Sequence, residues 1–493
     1  MKQICSRIIS VLAAAGLCMT GITVYAEPEE TTAATADETV TTEETTTTTA
    51  ATTANVLSRI KYEETPSGGI RITGYQWVDE TTVSLPTNIG GKPVTEIGEY
   101  AFAYCFADEI RLPEPLLYIA DNAFSQCAYL KQIKIPMGCR YIGELAFEDC
   151  SALEKVEIPA TVTDIGYMAF DGTPFFRNLT GDFAVFGDGV LYAWIGDGST
   201  LTIPESVKTI GPFACSNHPA LKSVTIPDTV ERILDCAFDN CPALVNVSIE
   251  RAPAELAADA FTGTGWYHES DAEFLQIGDM LYAYRGTAAA VTVPEGVRVI
   301  NDSAFESNET LASVTLSDSV EEIRRAAFWR CENLQAASLG NVQTIGDSAF
   351  YGCKSLRDLR LGHGLTALGS YALAGTALSE VHLPDSTAQI GTMAIGYAYD
   401  PAQNSYLKQS PAPKLFANAA AAKTYAEENG LTCEPLPEEE NTDPLAEVTT
   451  LPEQTRTGLT LPQGTRWIPA VIAGGALVLA GLLALLIRKM LRR

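Results

Sequence analysis

The chain has 493 residues, of which 46% are hydrophobic, and a formal net charge of −28. About −23 of this charge falls on the central region, residues 55–436. A surface this acidic repels phosphate backbones, which excludes nucleic acid as a partner. A high net charge keeps a protein soluble, and this is the preferred interpretation. The alternative role is attraction of basic partners or of calcium, although no Asp/Asn loop has calcium-ligand spacing.

Residues 1–26 are predicted to form a secretory signal peptide. A basic start and an apolar run over 8–19 precede the small-residue cleavage site Val24–Ala26. The alternative of lipid attachment at Cys18 is disfavoured because the bulky Leu17 stands before it.

Residues 27–54 contain threonine, alanine and seven carboxylates without a single base. Such a segment has no apolar surface to bury, so it predicts a disordered acidic stalk. Its threonines could also carry O-linked sugars.

The central region repeats one pattern, typified by residues 221–243, in which an Ala-Phe pair stands three residues before a cysteine. Self-similarity at this period indicates a repeat solenoid. Most copies are 22 to 25 residues apart, and two wider gaps are insertions. The phenylalanine position is assigned to Phe102, Phe124, Phe147, Phe170, Phe213, Phe238, Phe261, Phe305, Phe328, Phe350, Leu373 and Ile395.

Each repeat predicts one strand followed by compact structure. Val224 and Ile226 alternate with outward positions as in a strand, and Pro227 ends it. A second apolar step follows, and the Ala-Phe-x-x-Cys segment fits one helical turn or a tight turn facing inward. Stacked repeats therefore predict a parallel β-ladder with short helices or turns on the opposite side.

The pattern L-x-x-V-x-I-P-x-x-V-x-x-I-G-x-x-A-F-x-x-C is nearly complete in Leu130–Cys150 and Leu153–Phe170. It resembles the BspA-type leucine-rich repeats of bacterial surface proteins, and the resemblance covers residues 55–436. It implies an α/β repeat solenoid of the leucine-rich repeat type. It also implies a cell-surface, non-catalytic binding module, often an adhesin, without naming a ligand.

Caps and insertions complete the region. Residues 55–93 predict a divergent N-terminal cap, because a terminal repeat meets water on its outer side. The insertions, about 173–200 and 264–290, match each other at an offset of 91 residues and predict two β-hairpins that turn at Gly-Asp. Residues 414–436 predict a C-terminal cap, with a helix over 414–429 ended by Gly430 and then a last strand.

The C-terminal part predicts a membrane anchor. Residues 437–466 form a Pro/Glu/Thr-rich linker, and 467–487 form a transmembrane helix, since 468–487 carry no charge. The basic tail 488–493 places this end in the cytoplasm and the repeats outside. Residues 461–465, LPQGT, resemble a sortase signal with its last two residues exchanged, so attachment to the cell wall by sortase remains the alternative.

Six of the ten cysteines beyond the signal peptide occupy the same repeat position, which also accepts threonine and asparagine. Like positions in stacked repeats lie about 5 Å apart with parallel Cβ bonds. This favours a column of buried free thiols over disulfides. Without a Cys-x-x-Cys pair, a structural zinc site has little support.

The candidate ligand-binding surface is the outward side of the strand ladder, where small neutral side chains follow one another in the central repeats. The hypothesis is that this tract takes a ligand, because solenoids bind along such surfaces. The alternative is that serine and threonine simply suit an exposed sheet. The residues are Thr200, Thr202, Ser223, Thr225, Asn246, Ser248, Thr292, Ser313, Thr315 and Ser338.

Aromatic side chains in the insertions are a second candidate, an aromatic platform for sugars or peptide. The alternative, favoured because large aromatic residues tend to be buried, is that they pack the hairpins onto the solenoid. The residues are Trp194, Trp266, Tyr267, Tyr282 and Tyr284.

None of the four histidines belongs to a metal-ligand motif, a nucleophile elbow or a phosphate loop. We therefore predict no enzyme and no cofactor. The predicted protein is a monomeric, surface-anchored binding module for an extracellular protein or glycan, serving adhesion or ligand recognition. The alternatives are a structural envelope spacer and, less favoured, a surface glycan-active enzyme.

Overall fold

The computed structural model describes residues 56–78, 80–249 and 251–437. The predicted signal peptide, the stalk 27–54, the linker 437–466 apart from Pro437, the transmembrane helix 467–487 and the tail 488–493 lie outside these residues. Within the described ranges, no helix is both long enough and apolar enough to cross a bilayer.

The first strand of each repeat stacks in parallel on its neighbours, as the period predicts. In Ser223–Ile226, Val224 and Ile226 are buried and Thr225 is exposed, which is the expected alternation. We call this stack the first ladder; it is divided into four sheets. Its strands are Thr82–Ser84, Glu109–Arg111, Gln132–Lys134 and Lys155–Glu157; Thr200–Thr202, Ser223–Ile226 and Asn246–Ile249; Ala290–Thr292, Ser313–Thr315, Ala336–Ser338 and Asp358–Arg360; and Glu380–His382, Lys414–Phe416 and Cys433–Glu434.

The second apolar step of each repeat is also a strand, which the sequence did not predict. These short strands form a second parallel ladder. Many are followed by glycine because the repeats approach closely: a Cβ at Gly166 would overlap the backbone nitrogen of Glu144. Its strands are Lys92–Ile97, Tyr118–Ile119, Tyr141–Ile142 and Asp164–Ile165; Val190–Trp194, Thr209–Ile210, Arg232–Ile233 and Glu255–Leu256; and Met280–Tyr284, Val299–Ile300, Glu322–Ile323, Thr344–Ile345, Ala367–Leu368 and Gln389–Ile390.

The Ala-Phe segments form turns, which settles the predicted choice between helices and turns. Asn122 and Gln126 flank Phe124 in the left-handed region, with φ of 58° and 57°. The Phe124 N–H donates to the Ala146 carbonyl of the next repeat at 2.8 Å rather than to its own segment. A residue whose hydrogen bond runs to the next repeat cannot continue an α-helix.

Stacked phenylalanine rings fill the interior beside these turns. The ring centroids of Phe124 and Phe147 are 5.0 Å apart, and those of Phe328 and Phe350 are 4.9 Å apart. The assignment of Phe213 to this position is wrong. Phe213 takes the left-handed position with φ of 56°, and the fully buried Cys215 fills the ring position.

Both predicted hairpins are present, and they divide the repeats into three blocks. Phe183–Phe186 pairs antiparallel with Val190–Trp194, and Phe274–Ile277 pairs with Met280–Tyr284. Each returning strand is buried on both faces, so it belongs to two hydrophobic cores. Along Val190–Trp194, Tyr192 packs into the core before the strand, and Leu191 packs into the core after it.

A tyrosine hydroxyl closes the turn ladder at the end of each block. In repeats within a block, the phenylalanine N–H donates to the alanine carbonyl of the next repeat. At the end of the first block the Phe170 N–H donates instead to the Tyr192 hydroxyl at 3.0 Å. Tyr282 accepts likewise from Phe261 at 3.1 Å, and Tyr425 accepts from Ile395 at 3.0 Å. Buried backbone N–H groups need a partner, so these hydroxyls replace the missing repeat.

Both insertions also contain a short helix that the sequence analysis did not predict. The helices are Pro174–Arg177 and Gly265–Glu269, and the preceding residue, Thr173 or Thr264, caps each with its hydroxyl.

At the N-terminus, Ile60–Glu64 and Ile70–Tyr75 form an antiparallel hairpin on the second ladder, and Asn88–Ile89 pairs with the strand that follows it. The C-terminal cap differs from its prediction: Lys414–Phe416 is a strand, so the helix is confined to Ala420–Asn429 and ends at the left-handed Gly430. A further hairpin, Tyr397–Asp400 with Ser405–Lys408, was not predicted.

Candidate functional site

The outward side of the first ladder carries the predicted small polar side chains in register. Thr200, Ser223 and Asn246 are neighbours across three strands, and Thr202 stands beside Thr225. We call the ten residues of the sequence-based prediction the hydroxyl face. None of their side chains hydrogen-bonds another group of the described chain, so their donors and acceptors point to solvent.

The hydroxyl face is not one continuous tract. Its residues belong to two different sheets of the first ladder, and the second insertion, about 264–290, lies between them in the chain. One patch comprises Thr200, Thr202, Ser223, Thr225, Asn246 and Ser248. The other comprises Thr292, Ser313, Thr315 and Ser338, where most side chains are half-buried.

The aromatic residues of the insertions mostly pack the hairpins onto the solenoid. Trp194 is 6% exposed and its ring centroid lies 4.0 Å from that of His218. Tyr282 and Tyr284 are buried as well. Trp266 and Tyr267 are half-buried, with Trp266 against Phe261 at 5.4 Å. The predicted platform is thereby reduced to Trp266 and Tyr267.

A groove of about 1090 Å³ runs along the outward side of the second ladder. Charged side chains from several repeats line it, among them Asp164, Arg232, Glu255, Glu322 and Arg324. The sequence analysis missed this surface because it did not recognise the second apolar step as a strand. The available signal was a charged residue directly before the apolar one in some of the repeats, as in Arg232–Ile233 and Glu322–Ile323.

Two arginines show that the second ladder curves toward this groove at both insertions. Arg232 Nη1 donates to Asp164 Oδ1 at 2.6 Å, although two strands lie between them. A flat ladder would separate these rungs by about 14 Å. Arg324 Nη2 spans the second insertion in the same way and donates to the Ala254 carbonyl at 2.7 Å.

Ion pairs hold charged side chains of this groove in place around Arg232. Arg232 Nε also donates to Glu255 Oε2 at 2.6 Å. Burial lowers the pKa of the Arg232 guanidinium, but its bonds to Glu255 and Asp164 outweigh burial and leave that pKa raised. The groove therefore presents matched rather than free charges at this point.

The ten described cysteines are free thiols, as predicted. In the shared repeat position four thiols donate to the carbonyl of a phenylalanine one repeat earlier, as Cys150 does to Phe124 at 3.1 Å. Cys105 donates instead to the Ala107 carbonyl, and Cys241 to the Cys215 carbonyl. Thr173 and Thr264 instead donate to the phenylalanine of their own repeat. Burial raises the pKa of Cys331 to about 12, which disfavours the reactive thiolate.

Among the described residues, no group of three or more His, Cys, Asp or Glu side chains is arranged so that it could hold a metal ion. His218 takes the cysteine position of its repeat, and burial lowers its pKa. Its ring Nε2 lies 3.2 Å from the Trp194 carbonyl. His382 lies 3.5 Å from Glu380 on the exposed side of the first ladder.

Comparison with known proteins gave a family match and several similar structures. No curated protein matches the chain. A leucine rich cell surface protein from Faecalibacterium prausnitzii is 23% identical, covering 68% of this chain and 93% of that chain, with a TM-score of 0.26. A leucine-rich repeat protein from Bacteroides ovatus is 21% identical, with coverage of 77% and 98% and a TM-score of 0.26. The pneumococcal vaccine antigen PcpA is 16% identical, with coverage of 77% and 96% and a TM-score of 0.29.

The family model is decisive because it covers more than half of the chain. It is described as the BspA type leucine rich repeat region and matches in six copies over residues 79–181, 191–268 and 275–399. These ranges contain most strands of both ladders and the stacked phenylalanine rings. The chain therefore belongs to the BspA-type leucine-rich repeat family.

Proposed function

We propose that this protein is a non-catalytic binding module displayed outside a bacterial cell, where it recognises an extracellular protein or glycan, as in adhesion. The family supports a binding role for the repeats. The signal-like residues 1–26 and the apolar, base-ended C-terminal segment support display on the outside.

The observation that carries the proposal is the free hydrogen-bonding capacity of the hydroxyl face. Around Thr225, side chains from three strands lie in register, exposed and without partners in the described chain. Short side chains lose little conformational entropy when they bind, and an even surface allows a ligand to run across several repeats. The groove of the second ladder is a second candidate surface, favoured by its volume of about 1090 Å³.

Thr225→Arg should abolish binding if the hydroxyl face holds the ligand, because a long charged side chain blocks the centre of the larger patch. Ser313→Arg tests the smaller patch in the same way. Purified protein would be screened against an array of glycans and extracellular proteins at physiological salt, and each variant measured against the ligand found. We expect a loss of at least tenfold in affinity for one of these variants with unchanged thermal unfolding.

Two matched substitutions make the result interpretable. Thr344→Arg places the same side chain in the groove, and Thr392→Arg places it on an exposed turn outside both surfaces. If only Thr344→Arg lowers the affinity for the ligand, the binding site lies in the groove and not on the hydroxyl face. If a folded protein gives no saturable ligand on the array, the structural spacer becomes the better function; turnover of an arrayed glycan would favour the enzyme.

For anchoring, we propose that residues 467–487 stay in the membrane and that the protein is not transferred to the cell wall. Muralytic digestion of cells should then leave the protein in the membrane pellet, with residues 488–493 still attached. An antibody against the repeats and mass spectrometry of the C-terminal peptide would show this. Release together with wall fragments, with the chain ending near Thr465, would establish sortase attachment instead.

A further inference from the structure

Large aromatic side chains lie exposed at the N-terminal end of the repeats. Tyr104, Phe106 and Tyr129 are 55%, 62% and 56% exposed. They surround a depression of about 380 Å³, with Gln126 and Asp149 at its rim. We call this the aromatic hollow. It is distinct from the hydroxyl face, the groove and the hairpin aromatics.

The repeat pattern shows that these rings are not required by the fold. Phe106 and Tyr129 directly precede the buried Ala107 and Leu130, so they occupy one position in successive repeats, and their ring centroids are 6.2 Å apart. The other repeats with a buried leucine at the next position carry a small or polar residue here. These residues are Ala152, Ala220, Ala243, Thr310, Asn333, Ser355 and Ala377.

The backbone holds the third ring over the depression. Tyr104 adopts a left-handed conformation with φ of 61°, and its N–H donates to the Ser125 carbonyl of the next repeat at 2.9 Å. Gln126 and Asp149 follow Tyr104 in the same column of left-handed residues. The hollow thus combines three aromatic rings with one amide and one exposed carboxylate.

Charge determines which ligand suits this arrangement. Aromatic faces are electron-rich and attract cations that lie within about 6 Å of the ring centroid. The rim adds Asp149, and burial together with Asp149 and Asp171 raises the pKa of the neighbouring Glu148 carboxyl, as expected where negative charge is not neutralised. Lys131 does not supply a free counter-charge, because it pairs with Asp108 at 2.7 Å.

We propose that the aromatic hollow binds an arginine or lysine side chain of a basic partner polypeptide. The cation lies against the faces of Phe106 and Tyr129, and Asp149 accepts its hydrogen bonds. The formal charge of about −23 on the repeat region attracts the same partner over longer distances and opposes acidic ligands. This inference does not depend on the hydroxyl face.

The test uses the purified full-length protein with octaarginine and octalysine peptides as probes at physiological salt. The double variant Phe106→Leu, Tyr129→Leu keeps the apolar surface and the charge but removes the ring faces. We expect it to bind the peptides about tenfold more weakly, and Asp149→Asn to bind them more weakly by a smaller factor. These side chains are exposed, so thermal unfolding should be unchanged.

A matched control separates the hollow from the acidic surface as a whole. Tyr62 is 50% exposed and lies in the N-terminal hairpin, away from the hollow. Tyr62→Leu should bind the peptides like the unaltered protein. If the double variant binds as tightly as Tyr62→Leu, the peptides bind the general charge and the proposal is overturned. Binding of the neutral maltoheptaose, lost in the double variant while peptide binding persists, would overturn it in favour of a sugar site.

Discussion

Phe147→Ala should lower the free energy of unfolding by about 3–5 kcal/mol, the largest effect we expect from a single substitution. Phe147 is fully buried, and its ring centroid lies 5.0 Å from that of Phe124 and 5.5 Å from that of Phe170. Removing the ring opens a cavity whose two walls are rings held by their own repeats, so the site cannot collapse. Equilibrium unfolding in denaturant measures the change.

The conservative substitution at the same position is the control. Leu373 naturally occupies the corresponding position and is 1% exposed, so this position accepts a branched aliphatic side chain. Phe147→Leu should cost about 1.5 kcal/mol or less. Equal losses for the alanine and leucine variants would show that the ring stack, rather than the filled volume, supplies the stability.

Tyr282→Phe should destabilise the protein by about 1–3 kcal/mol although it removes only one oxygen atom. The Tyr282 hydroxyl accepts from the Phe261 N–H at 3.1 Å and donates to the Ala258 carbonyl at 2.7 Å. Burial raises the pKa of this hydroxyl, so it keeps the proton that it donates. Its loss leaves a buried N–H and a buried carbonyl without this partner, and the cost should appear in denaturant unfolding.

Tyr267→Phe is the matched control for this prediction. Tyr267 lies in the same insertion, and its hydroxyl makes no hydrogen bond within the described chain. We expect its removal to change the free energy of unfolding by less than about 0.5 kcal/mol. Similar changes for the two variants would argue that the hydroxyl of Tyr282 does not replace a missing repeat. Tyr192→Phe extends the test to the first insertion, where the Phe170 N–H would lose its partner.

The binding surfaces were only partly predictable. The outward positions of the first ladder follow from strand alternation, so Thr225 and its neighbours could be named in advance. Alternation does not reveal that the hydroxyl face is divided between two sheets, or that Arg232 reaches Asp164 across two strands. Both depend on where a distant segment inserts. The exposed pair Phe106 and Tyr129 was visible in the sequence, as large residues at a position that is otherwise small or polar.

The sequence by itself determined the parallel solenoid, the two hairpins and the column of free thiols, because each rests on a local period repeated many times. Only the tertiary structure decided that the Ala-Phe segments are turns, that Cys215 rather than Phe213 fills the ring position, and that the returning strands are shared between cores. The physical reason is that these features depend on hydrogen bonds and contacts between one repeat and the next. The pattern of side chains along the sequence predicts which face of a strand is buried. It does not predict which backbone group of the neighbouring repeat contacts that face.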